Sequence, residues 1–218
     1  QTLGWDADVW VLENGAFPTL NMSPREYYSE GLEYTLNADG ISYSVTGIGT
    51  CKDTDIVIPY KYNGLPVTSI GKSAFAYSYL TSIEIPDSVT IIDEKAFYYC
   101  EGLGIITIPD SVTIIGDSVF YNCIDLTEVT ILGGVTNISQ TAFYNCASLT
   151  NVTIPNTVTI IYNNAFKDCR NLTLITFGGT VEQWGNVQNG NGWNSFTGSY
   201  TIYCTDGTIS KDGTVTYY

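Results

Sequence analysis

Histidine is missing from the chain, and lysine and arginine together number eight against 22 acidic residues, for a formal net charge of −14. The first absence removes the commonest general base and metal ligand at neutral pH. The second leaves a surface that repels phosphate backbones and anionic headgroups, so neither nucleic-acid binding nor electrostatic attachment to a membrane is expected. No run of about 18 consecutive apolar residues occurs, so membrane insertion is not expected in this segment. No cysteine pair has C-x-x-C spacing, which argues against zinc. A charged-then-apolar leader is also missing, and Gln1 is expected to begin a processed or excised piece. What remains is 44% apolar residues over 218 positions, enough for a sizeable core in one continuous domain.

The chain then repeats itself. From Val67 onward, units such as VTIIDEKAFYYCEGLGIITIPDS and VTNISQTAFYNCASLTNVTIPNT recur, each marked by one Phe: Phe75, Phe97, Phe120, Phe143 and Phe166. The Phe spacing is 22 residues once and 23 thereafter. A fixed period within the window of about 20–29 residues signals a leucine-rich-repeat solenoid. Within a unit, Leu149, Val152 and Ile154 follow L-x-x-I-x-I, so Val152 and Ile154 point to one side of a strand and Thr153 to the other. Pro86, Pro109 and Pro155 end these strands by removing a donor and fixing φ. The A-F-x-x-C segment that follows places Ala and Cys four apart, a spacing that predicts one face of a short helical turn. One coil cannot bury this apolar set alone, so neighbours must bury it together.

The full pattern, I-G-x-x-A-F-x-x-C-x-x-L-x-x-I-x-I-P-x-x-V, resembles the BspA-like leucine-rich repeats of bacterial cell-surface proteins over roughly residues 51–181. Ser78 in place of Cys, Val119 in place of Ala, and Leu132 and Gly178 in place of Pro are its departures. The resemblance implies a non-catalytic surface protein; some members bind host matrix or plasma proteins, or other bacteria. Abundant Tyr, Thr, Ser, Asn and Gly with few Lys lean toward the same extracellular or cell-surface location. The expected fold class is α/β and β-rich: a right-handed solenoid of coils of about 22–23 residues, with parallel strands, short helical turns and β-hairpin caps. Residues 1–50 are expected to form an extension and hairpin cap, 51–181 the solenoid and 182–218 a C-terminal cap. In the first of these, Trp5 and Trp10 belong either to a preceding domain or to a strap on the first coil, and Leu32–Thr46 reads as a hairpin over that coil. YKYNGLP, Tyr60–Pro66, is read as a bulging insert, and GNVQNGNGWNS, Gly185–Ser195, as a polar loop.

Cys100, Cys123, Cys146 and Cys169 share one offset, and Cys51 is a candidate to extend it. They read as stacked, buried free thiols rather than disulfides, because identical side chains in parallel point the same way, and Cys51 and Cys204 lie too far apart to bridge. Asp87 and Asp110 fit either a calcium site between coils or plain turn chemistry. Glu84 and Glu128 are the one carboxylate pair on the outer strand face, roughly 10 Å apart at strand spacing, wider than a glycosidase pair. The outer strand face comprises Ser82, Glu84, Ile105, Thr107, Glu128, Thr130, Asn151, Thr153, Leu174 and Thr176. Tyr98, Tyr121 and Tyr144 follow Phe directly and are expected to face solvent across the helical turn, with Tyr77 and Tyr99 nearby. Ile91, Ile114 and Ile160 belong either to the core or to an apolar outer stripe. No cofactor is called for. The expected role is an adhesin-like module that binds an extracellular protein or glycoprotein through one extended face. A rigid spacer and a carbohydrate-active solenoid are the alternatives.

Overall fold

Two parallel ladders, one broad and one short, carry the chain from coil to coil. In the computed structural model, residues 28–218 are described, together with a backbone pairing of Trp10–Val11 with Thr19–Leu20. The strap expectation otherwise falls on residues outside the described ones. The broad ladder stacks Ile105–Ile108, Glu128–Ile131, Asn151–Ile154, Leu174–Phe177 and Thr201–Cys204 in parallel. Asp55–Val57 and Ser82–Glu84 pair at its start. Gly104 N–H then donates to Thr81 O at 3.1 Å, and Thr127 N–H to Gly104 O at 2.8 Å, which carries the register onward. The short ladder runs through Leu65–Ile70, Ile91–Ile92 and Ile114–Ile115, then Asn137–Ile138, Ile160–Ile161 and Gln188–Asn189.

The third side of each coil corrects the helical-turn expectation. Among the described residues the one α-helix is Val181–Gly185, capped by Thr180 and Gln183 in a capping box. At A-F-x-x-C the amides alternate in their use. Ala96, Tyr98 and Cys100 N–H donate within the coil to Asp93, Lys95 and Phe97 O, closing tight turns. Lys95, Phe97 and Tyr99 N–H donate instead to Asp117, Val119 and Tyr121 O of the next coil. A helix would spend every amide inside its own coil, leaving the stack unjoined on this side. The turns require left-handed residues four apart: Lys95 and Tyr99 at φ 59° and 57°, then Ser118 and Asn122, Thr141 and Asn145, and Asn164 and Asp168. Each non-Gly residue so placed costs about 1–2 kcal/mol, which the inter-coil hydrogen bonds offset at about 1 kcal/mol apiece together with the burial they permit.

That burial is continuous. Phe75, Phe97, Phe120, Phe143 and Phe166 are all buried, and their rings stack nearly parallel at 5.5, 5.2, 5.2 and 5.1 Å between centroids. Beside them run the cysteines. All six are free thiols, and Cys100, Cys123, Cys146 and Cys169 are buried. Each of these four Sγ donates to the Phe carbonyl of the preceding coil, at 3.0 to 3.2 Å. Burial pushes the Cys100 thiol up to about 11 and raises those of Cys123 and Cys146 well above their ordinary value. Reactivity requires the thiolate, so a thiol reagent on the native protein is expected to modify half-buried Cys51 alone, and all six cysteines after denaturation. Fast native labelling of Cys123 or Cys146 would contradict the packing.

The ends are closed by antiparallel pieces. Glu33–Leu36 pairs with Tyr43–Gly47, which lies parallel to Leu65–Ile70 and covers the first short-ladder strand. Ser29 N–H donates to Val57 O, and Val57 N–H to Ser29 Oγ, clasping the broad ladder at the same end. The insert at Tyr60–Pro66 is a hairpin of Lys61–Tyr62 with Leu65–Pro66, turned by Asn63 and Gly64 at φ 49° and 81°, the left-handed pair that an Asn-Gly turn needs. At the other end Thr201–Cys204 pairs antiparallel with Gly207–Ser210, which pairs with Val215–Tyr217. The segment expected as a polar loop at 185–195 is instead another coil. Gln188–Asn189 extends the short ladder, Phe166 N–H donates to Trp193 O, and the Trp193 ring meets Phe166 edge-on at 6.1 Å. Polar composition hid it, because only Val187 and Trp193 remain of the apolar pattern.

Candidate functional site

The register of the broad ladder places two outward rows. One holds Ile105, Glu128, Asn151, Leu174 and Thr201, and the other Thr107, Thr130, Thr153, Thr176 and Tyr203. Glu84 precedes Thr107 in the second row, since Thr81, Gly104 and Thr127 align. Glu84 and Glu128 therefore occupy different rows as well as different coils of this face. Ile105 is 57% exposed, Leu174 is half-buried, and the threonines between present methyl and hydroxyl groups together. At the C-terminal end of this face a shallow trough of about 500 Å³ is lined by Thr173, Leu174, Thr176, Thr201 and Tyr203. Tyr203 is absent from the sequence-based candidates because Thr201–Cys204 was assigned to the cap. Its alternation with Ile202 matches Leu174–Ile175–Thr176 and marks it as outward-facing.

The tyrosines form a separate surface on the turn side. Tyr98, Tyr121 and Tyr144 are half-buried rather than standing free in solvent. Their rings stack at 5.0 Å (Tyr98 to Tyr121) and 4.8 Å (Tyr121 to Tyr144), the second pair within 3° of parallel. The coil spacing brings equivalent rings to contact distance, so each covers its neighbour's face. Burial raises the Tyr98 and Tyr121 phenols. Lysines cover both ends of this row: Lys95 Nζ lies 6.0 Å from the Tyr98 ring centre and Lys167 Nζ 5.5 Å from that of Tyr144. Lys95 is shared with Glu94 at 2.9 Å, and hydrogen bonds from Lys72 and then Lys95 hold the Glu94 carboxyl down at about 2.

Asp87 and Asp110 sit in turns closed by Val89 N–H to Pro86 O and Val112 N–H to Pro109 O, and no cluster of three potential ligand residues occurs among the described residues. Ile91, Ile114 and Ile160 lie on the outward row of the short ladder, and Ile114 is exposed while the other two are half-buried. No described helix is long and apolar enough to cross a membrane.

A family model described as "BspA type Leucine rich repeat region" matches residues 68–190 in six copies. Among solved structures, the leucine-rich-repeat protein of T. pallidum is 28% identical, over 72% of this chain and 87% of that one, with a TM-score of 0.57. A leucine-rich cell surface protein from Faecalibacterium prausnitzii is also 28% identical, over 89% of this chain and 61% of that one, with a TM-score of 0.56. A leucine-rich-repeat protein from Eubacterium ventriosum, at 22% identity and a TM-score of 0.60, shares the fold over 71% of this chain and 46% of its own. No curated protein matches the chain. Period, ladder register and profile agree: the chain belongs to the BspA type leucine-rich-repeat family.

Proposed function

We propose that the chain is a non-catalytic binding module of a secreted or surface-displayed bacterial protein, engaging an extracellular protein or glycoprotein along the broad strand face. The carrying observation is the trough of about 500 Å³ at the end of that face, where Leu174 and Tyr203 are flanked by Thr173, Thr176 and Thr201. A tyrosine is among the residues that carry contact energy at protein interfaces, and a polar rim around it is the usual surround. The regular rows leading to it offer Ile105, Glu128, Asn151 and the Thr107–Thr176 series as flanking contacts. A net charge of −14 favours neutral or basic partners over anionic ones. The name of the F. prausnitzii relative, a cell surface protein, supports the location.

The test is binding to a panel of immobilised matrix and plasma glycoproteins. At least one is expected to bind, and Leu174→Asp combined with Tyr203→Ala to weaken it by at least about tenfold, as loss of a hot spot does, with the melting temperature retained. No binding across the panel, or equal binding by the double variant, would sink the assignment to this face.

A further inference from the structure

The 22-residue spacing at the first coil leaves a cleft beside it. Where later units place two residues between Cys and Leu, as Glu101 and Gly102 do, the first coil has only Tyr79 between Ser78 and Leu80. Asp125 N–H donates to Glu101 O, and Ser148 N–H to Ile124 O, joining the later loops. No such link ties Gly102 to the first coil among the described residues. The Glu101–Gly102 loop thus overhangs a shortened neighbour, and a cavity of about 210 Å³ lies there, lined by Tyr77, Ser78, Tyr79, Tyr99 and Glu101. Tyr77 and Tyr99 stack at 5.3 Å, while Tyr79 is 91% exposed with no ring contact among the described residues.

We propose that this cleft is a second binding site, distinct from the strand face, which accepts a lysine side chain from a basic segment of a partner protein. Three observations point to an ammonium group. Tyrosine rings are where this chain rests its own ammoniums: four of its six lysines, Lys61, Lys95, Lys167 and Lys211, lie 5.5 to 6.0 Å from a Tyr ring centre. Glu101 brings a carboxylate to the same cleft and has no basic partner among the described residues. Lys95, beside Tyr98, is already matched by Glu94, and the chain as a whole carries −14, so an incoming cation meets an attractive field. Aromatic faces with an adjacent carboxylate hold a cation by ring quadrupole and charge together.

The experiment uses the 218-residue chain and a fluorescent heptapeptide of alternating Gly and Lys, with the matching Gly–Gln peptide as control, read by anisotropy at low salt. Lysine-dependent, saturable binding is expected. Tyr79→Ala and Glu101→Gln, both at exposed positions, should each weaken it by about fivefold, while Glu182→Gln on the distant helix leaves it unchanged. The Leu174 and Tyr203 variants should also leave it unchanged, which separates this site from the strand face. Equal weakening by Glu101→Gln and Glu182→Gln would mean diffuse charge attraction and overturn the proposal. So would the absence of lysine-dependent binding, or binding of a neutral oligosaccharide at the cleft in its place.

Discussion

Replacing Phe120 with Ala is expected to remove about 3–5 kcal/mol of stability, the usual cost of truncating a fully buried aromatic. Phe120 has no exposed surface, and it stacks on two rings, Phe97 and Phe143, each at 5.2 Å. Each such contact is worth about 0.5–1.5 kcal/mol beyond the area it buries. The surrounding wall cannot collapse into the space, because the backbone on that side is fixed by amides donated from coil to coil. A solenoid holds together through nearest-neighbour interfaces, so a void at Phe120 weakens both coil junctions it touches. Scanning calorimetry is expected to show the melt lowered by about 10 °C for a chain of this length and broadened as the two ends uncouple. Phe75→Ala, at the end of the stack with one phenylalanine neighbour, should cost less. An unchanged melt for Phe120→Ala would contradict the stacked core.

Alkali is expected to unfold the protein well before tyrosine ionisation alone would. The four ladder thiols have an ordinary value of 9.0, and burial raises all of them, Cys100 to about 11 and the other three well above the ordinary value. Below pH 9 both folded and unfolded chains keep these thiols protonated, and their contribution to stability is fully present. Above it the unfolded chain releases protons that the native state retains, so stability falls as pH rises. Each thiol removes about 1.4 kcal/mol per pH unit, and four together about 5 kcal/mol per unit until Cys100 begins to ionise in the fold near pH 11. Against a total stability of about 5–15 kcal/mol, two units remove most of it. The raised phenols of half-buried Tyr98 and Tyr121 and of buried Tyr200 act with the same sign. Urea midpoints measured from pH 7 to 10.5 should be flat to about pH 8.5 and then drop steeply. Cys146→Ala should lower the midpoint at neutral pH yet flatten the alkaline slope. A slope unaltered by that substitution would mean the thiols are not held neutral by the core.

Both expectations concern a core that is visible in one dimension. Phe75 to Phe166 and Cys100 to Cys169 recur at one offset each, and an apolar residue recurring at a fixed coil position has nowhere to go but onto its own copies. The outward rows were equally legible, because a strand alternates and Thr107, Thr130, Thr153 and Thr176 fall between buried neighbours. Tyr203 was less legible, because it lies at the solenoid's end, where Thr201–Cys204 belongs to coil and cap at once.

Spacing along the chain could not reveal how the Ala–Phe–x–x–Cys turns use their amides. Ala and Cys four apart suit a helix and suit these turns alike, and the choice falls to partners 22 residues away, which offer carbonyls to Lys95, Phe97 and Tyr99. Coil 185–195 was obscured for a related reason: its place is held by ladder pairing with Ile160–Ile161 and by Trp193 against Phe166, not by its own apolar content. The cleft at Tyr79 is a difference between two adjacent coils, so it exists only once they are stacked. The order of residues therefore dictated the repeat, the buried set and the outward rows, which are periodic and local. Stacking dictated turn geometry, ring contacts and cavities, because each depends on what the next coil supplies.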